Sequence, residues 1–107
     1  QAGFLLQPGY WGWLLSEIKG VEIKFFGKPY KAVYDYLIKK INIKLNKKID
    51  YKRIAMVGDS LHTDILGGSV AKFSTILVTN YGFFSSGGHL KAIKKTKIQP
   101  DWIIPIL

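Results

Sequence analysis

Two of the seven acidic residues in this 107-residue chain, Asp59 and Asp64, lie five positions apart in Gly58-Asp59-Ser60-Leu61-His62-Thr63-Asp64. Two carboxylates held about 4 Å apart repel by up to roughly 4 kcal/mol at an effective dielectric of 20. A hard divalent cation removes that repulsion, and Mg²⁺ accepts one or two carboxylates while keeping several waters. The competing role for Asp64, or for Thr63, is that of a helix-start residue favoured by the helix dipole. Gly58 permits a sharp turn and a close approach by a ligand. A second candidate, Gly27-Lys28-Pro29, offers one ammonium between an apparent strand and an apparent helix. It is not a Walker A loop, because Gly20 lies too far upstream and Pro29 stands where Ser or Thr must bind magnesium.

These side chains can cooperate only if the surrounding elements bring the two loops together. Trp11, Leu14, Leu15 and Ile18 recur at helical spacing after a break at Pro8-Gly9, with Gly20 as a stop. Val21, Ile23 and Phe25 alternate with Glu22 and Lys24, which predicts a short strand ending at Gly27. Pro29 suits a first helical turn, and Val33, Leu37, Ile41 and Leu45 then define an apolar face opposite Lys39, Lys40 and Lys44. Residues 53–57 form an apolar run closed by Gly58, the pattern of a buried parallel strand. A helix is expected over 63–70 even though Gly67 and Gly68 each weaken it by about 1 kcal/mol against Ala. A β-branched strand over 74–79, a flexible loop over 85–88, a basic helix over 90–95 and a last strand over 102–104 complete the chain. Alternating strands and helices imply a right-handed parallel α/β sheet, a partial Rossmann-like architecture with flanking helices. Ligands of such sheets bind beyond the carboxyl ends of the strands, where both charged loops fall.

Composition narrows the chemistry. The chain has no Cys, which excludes disulfides, thiolate zinc sites and cysteine nucleophiles together. Its length suits one domain with a single core. Sixteen Lys plus Arg against seven Asp plus Glu leave a formal charge of +9, which alone suggests a polyanionic partner. Yet fifteen of those cations are Lys and Ile is abundant, a bias that an A/T-rich coding sequence produces unaided. A small basic nucleic-acid-binding module using Lys39, Lys40, Lys44, Lys47, Lys48 and the lysines of 91–97 is therefore the competing reading, and nucleic acid is not the expected partner. The longest apolar region, 4–15, is interrupted by Gln7, Pro8 and Gly9 and falls short of the roughly 20 residues that span a bilayer. With no signal-peptide pattern either, a cytoplasmic location without a membrane partner is expected. His62 is expected in solvent, since magnesium disfavours imidazole, and His89 has no nearby partner for zinc. Trp11 and Trp13 are expected to pack against a further part of the protein or to form an exposed apolar patch. Tyr34 and Tyr36 are expected to serve helix packing and its rim.

Taken together, these motifs resemble the haloacid dehalogenase superfamily of phosphatases, in the branch of NagD and 4-nitrophenylphosphatase-like proteins. Gly27-Lys28-Pro29 is similar to that superfamily's third motif, and Gly58-Asp59 with Asp64 to its fourth. Thr63-Asp64-Ile65, Gly67-Gly68, Thr75 to Thr79, Gly82 and the ending Pro100-Asp101-Trp102-Ile103-Ile104 also resemble the branch, and Ala2-Gly3 resembles the helix leading out of its cap domain. The resemblance implies that Asp59 coordinates Mg²⁺, while Asp64 holds the metal's water shell or orients Asp59. It implies that Lys28 neutralises a nucleophilic carboxylate and the transferring phosphoryl group of a small phosphorylated substrate. Gly58 and Ser60 would shape the loop around that substrate.

The departures are equally informative. The family's aspartyl-phosphate chemistry needs a nucleophilic Asp and an acid/base Asp two residues later. Glu17, Glu22, Asp35, Asp50, Asp59, Asp64 and Asp101 are the complete acid inventory, and no two are separated by a single residue. Residues 1–107 are thus expected to be the carboxyl-terminal part of such a core. The nucleophile-bearing amino-terminal half, its central strand and the cap would lie outside, and the chain would be inactive alone, with a non-functional gene remnant as a third reading. Lys72 stands where the branch commonly has Gly after Ala, and residues 83–89 look like a loop insertion.

Overall fold

The computed structural model describes residues 7–107, so Phe4 to Leu6 and the Ala2-Gly3 pair lie outside the described residues. Three parallel strands form the sheet: β1 (Ala55–Gly58), β2 (Ser74–Val78) and β3 (Trp102–Ile104), in the order β1-β2-β3. Ala55 pairs with Ser74 and Gly58 with Leu77, while Ile76 pairs with Trp102 and Val78 with Ile104. The middle strand, β2, is the most deeply buried, with Thr75 and Leu77 fully covered. Parallel pairing requires crossovers, and helices supply them. A π-helical turn (Leu61–Ile65) running into α3 (Leu66–Val70) links β1 to β2, and α4 (His89–Thr96) links β2 to β3.

Ahead of the sheet come α1 (Pro8–Ser16) and α2 (Lys31–Leu45). Pro8 starts α1 rather than merely breaking the segment before it, as its fixed φ and missing N–H allow. Pro29 precedes α2, whose N-cap is Tyr30, instead of lying in its first turn. The buried face of α2 is Tyr34 and Ile38, offset from the expected stripe, so that Leu37 and Leu45 are exposed. Tyr34 decides that offset. Its ring lies edge-on to Phe73 at 5.7 Å, and its hydroxyl occupies the space that a Cβ on Gly67 would need.

Residues 21–26 carry no strand, against the alternation of Val21, Ile23 and Phe25. A strand exists only where a neighbour takes its backbone hydrogen bonds, and no segment among the described residues pairs with this one. The first sheet strand also begins later than expected, because Tyr51–Arg53 is a 3₁₀ turn whose start is capped by the Asp50 carboxylate accepting from the Lys52 N–H. Residues 82–84 form another 3₁₀ turn, and Phe84 enters the core with Leu61, Ile65, Leu77 and Ile93, so the stretch is integral to the packing. A second cluster, Tyr34, Ile38 and Phe73, packs α2 against the residue that follows the α3 crossover. The core holding the site is therefore built from β1, β2 and the helix between them.

Candidate active site at the carboxyl ends of the strands

The site forms where β1 ends. Gly58 closes the strand, Asp59 and Ser60 follow, and the chain enters the π-helical turn that carries Asp64. Asp64 is almost completely buried, and its carboxylate organises three partners. Its Oδ2 accepts the backbone N–H groups of Asp59 and Ser60, both at 3.2 Å. Its Oδ1 accepts the Lys28 ammonium at 2.5 Å. Ser60 is the N-cap residue of this helical turn, so Asp64 reaches back to a cap N–H in the manner of a capping box. Asp64 thus stands in the first turn of the helical segment, the helix-start place, while its other oxygen holds Lys28.

Gly58 is demanded by space. A Cβ there would lie 2.3 Å from the Cβ, Cγ and Oδ2 atoms of Asp64, so any larger residue displaces the carboxylate that anchors the loop. Lys28 arrives from the turn before α2, which the Tyr30 N–H closes onto the Gly27 carbonyl at 3.0 Å. The Lys28 side chain is 47% exposed, whereas that of Asp64 is 5% exposed, so the ammonium is gripped from below and open from above. The hydrogen bond to Asp64 raises the Lys28 pKa above 10.5, against a smaller lowering by partial burial, and the side chain is a cation at neutral pH.

Asp59 is held from the other side. Its Oδ2 accepts the Phe83 N–H at 2.8 Å, from the loop after β2. Gly82 makes this approach possible: its φ is +66°, and a Cβ would fall 1.6 Å from Asp59 Oδ2. Sequence reasoning missed this contact, naming Gly82 only among the residues that resemble the branch. The available signal was positional, since β1 and β2 are adjacent and parallel, which sets their following loops side by side.

All five residues singled out from the sequence, Lys28, Gly58, Asp59, Ser60 and Asp64, therefore meet at one end of the sheet. Among the described residues Asp59 Oδ1 accepts no hydrogen bond, while each oxygen of Asp64 already accepts at least one. That donor set fits a hard cation held through one carboxylate oxygen and water, with Asp64 acting on the loop that presents it. No group of three or more His, Cys, Asp or Glu gathers among the described residues. His62 is exposed, and His89 begins α4 with its ring edge-on to Phe84 at 6.3 Å.

A parallel α/β sheet thus carries a paired lysine and two aspartates at the carboxyl ends of its strands. Residues 25–107 match the model of the HAD-hydrolase-like family, and the chain belongs to that family. Among solved structures it is similar to a possible sugar phosphatase of the HAD superfamily from Cytophaga hutchinsonii, at 30% identity and a TM-score of 0.68 over 89% of this chain. It is likewise similar to NagD from Escherichia coli K-12, at 30% identity and a TM-score of 0.60 over 85% of this chain. A 55-residue stretch, 51% of this chain and 9% of the other, is 36% identical to a Caenorhabditis elegans protein bearing the NipSnap name. The chain spans 32% of each of the two solved relatives. No helix among the described residues is long and apolar enough to cross a membrane.

Proposed function

We propose that this chain is the carboxyl-terminal part of a Mg²⁺-dependent cytoplasmic phosphatase core acting on a small phosphate ester. The observation that carries this reading is the Lys28–Asp64 pair at 2.5 Å, set beside an Asp59 with one oxygen that accepts no hydrogen bond among the described residues. The nucleophilic and acid/base aspartates belong to an amino-terminal half outside these residues, which makes that half the chain's necessary partner. Lys28 offsets the charge of the nucleophilic carboxylate and of the transferring phosphoryl group, as positioned cations do in phosphoryl transfer. Asp64 holds Lys28 in place and, through the N–H groups of Asp59 and Ser60, fixes the loop. Asp59 is the side chain to hold Mg²⁺, which when bound supplies neutralisation of phosphoryl charge. Gly58 and Ser60 line the approach to the substrate.

The test joins this chain to the amino-terminal half of a NagD-like relative and follows p-nitrophenyl phosphate hydrolysis. Activity is expected only with Mg²⁺, and Asp59→Asn or Lys28→Ala should each lower kcat by at least 100-fold, the scale of a lost electrostatic contact in a transition state. A joined protein that keeps full activity with both substitutions overturns the assignment.

A further inference from the structure

A cationic groove lies at the opposite end of the sheet from Lys28 and Asp59. Because Ala55 pairs in parallel with Ser74, the residues leading into β1 and β2 gather at the amino ends of the strands. There Lys48, Lys52 and Lys72 line a cavity of about 480 Å³ together with Tyr51. A second cavity of about 390 Å³ shares Lys48, Ile49 and Asp50 with the first and extends to Lys47 and Arg53. Five cations thus face one carboxylate, Asp50, which already accepts the Lys52 backbone N–H at 3.0 Å. Clustered ammonium groups repel one another, and a multivalent anion relieves that repulsion most effectively.

Lys72 joins this cluster to a neighbouring cavity. Its φ of +62° lies in the left-handed region, which a Cβ disfavours and glycine adopts freely. Asn46 and Lys97 share that region, each directly after a helix, and at Lys72 the bonds that end α3, from the Lys72 N–H to the Ser69 carbonyl and from the Phe73 N–H to the Gly68 carbonyl, hold the backbone there. Lys72 lines both the 480 Å³ cavity and a neighbouring one beside Tyr34 and Phe73, where Lys31 is paired with Asp35. The 480 and 390 Å³ cavities, which share Lys48 and carry five cations between them, suit an extended anion better than a single phosphate.

We propose that this groove binds an anion carrying two or more linked phosphate groups, at a site separate from the candidate active centre. The probe is tripolyphosphate, titrated into the ¹⁵N-labelled chain and followed by amide chemical shifts, with orthophosphate and ATP as comparison ligands. Shifts are expected at residues 47–53 and 72. Lys72→Gly, which relieves the strain, should stay folded and bind at least threefold more weakly, and the triple variant K48Q/K52Q/K72G at least tenfold. Removing equal charge from α2, with K39Q/K40Q/K44Q, should change binding by less than twofold. ATP binding as tightly as tripolyphosphate assigns recognition to the phosphate chain alone, and tighter ATP binding identifies a nucleotide as its source. Equal losses in the two triple variants, orthophosphate binding as tight as tripolyphosphate, or shifts centred on Lys28, Asp59 and Ser60 would each overturn the proposal.

Discussion

Asp59 has a defined orientation because a backbone N–H from the loop after the neighbouring strand holds it, and that N–H is in reach only because residue 82 has no side chain. Two separable penalties follow for Gly82→Ala. The first is conformational, since alanine at φ +66° costs about 1–2 kcal/mol. The second is local, since the new methyl group occupies the position of Asp59 Oδ2 and must expel it. Gly87 supplies the control, with φ +87° and nothing within 4 Å of the place a methyl group would take. Gly87→Ala should lose a similar 1–2 kcal/mol in urea unfolding while leaving Phe83 amide protection unchanged. Gly82→Ala should lose at least as much and also speed hydrogen exchange at Phe83; unchanged exchange there would remove the proposed hold on Asp59. At this scale the sequence was informative about side chains with unusual chemistry. Lys28, Asp59 and Asp64 stood out by type and spacing, while the Phe83 N–H, a donor every residue but proline has, carried no such mark.

The strands and their crossovers were legible where periodicity and burial coincide. The last strand falls at Trp102–Ile104 as its apolar run indicates, and α4 at His89–Thr96 differs from its expected range by one residue at each end. Elements whose state depends on a partner were not legible. Residues 21–26 alternate like a strand yet have no ladder among the described residues, and the buried side of α2 was settled by Tyr34 meeting the notch at Gly67. The β2–β3 junction rests on another long-range pairing. Asp101 Oδ2 accepts from the Thr75 N–H at 2.8 Å and from its hydroxyl at 3.0 Å, while the Asp101 N–H donates back to Thr75 Oγ1 at 2.9 Å. These bonds, the backbone one foremost, hold the Asp101 pKa below its ordinary 3.8. A carboxylate depressed by folding contributes stability that is fully present above the unfolded pKa and lost as pH falls through the folded one. The wild-type chain should therefore lose stability as pH falls below about 4, and Asp101→Asn should flatten that part of the profile in urea unfolding at several pH values. An identical acid limb in both proteins would show that Asp101 does not contribute to it.

The whole molecule is broader than a compact domain of its length. Its radius of gyration is 16.2 Å, against about 13 Å expected for 107 residues, and its extents are 48 × 43 × 21 Å. Both buried clusters draw on residues 34–93, whereas α1 contributes no buried residue and presents Tyr10, Trp11, Trp13, Leu14 and Leu15 to solvent. Buried apolar area is what offsets chain entropy, so a helix none of whose own residues is buried adds little to the stability of the rest. The +9 charge does not compensate for that patch, because like charges spread over a surface oppose association only until salt screens them beyond about 10 Å. A chain beginning at Val21 should accordingly melt within about 4–8 °C of the full chain, the shift that 1 kcal/mol produces in a domain of this size. It should also scatter less light in 0.5 M salt, having lost two of its three exposed tryptophans. A much larger fall in melting temperature would mean that α1 is part of the cooperative unit, and that the Phe25 ring against Gly12 is a packing contact on which the segment carrying Lys28 depends.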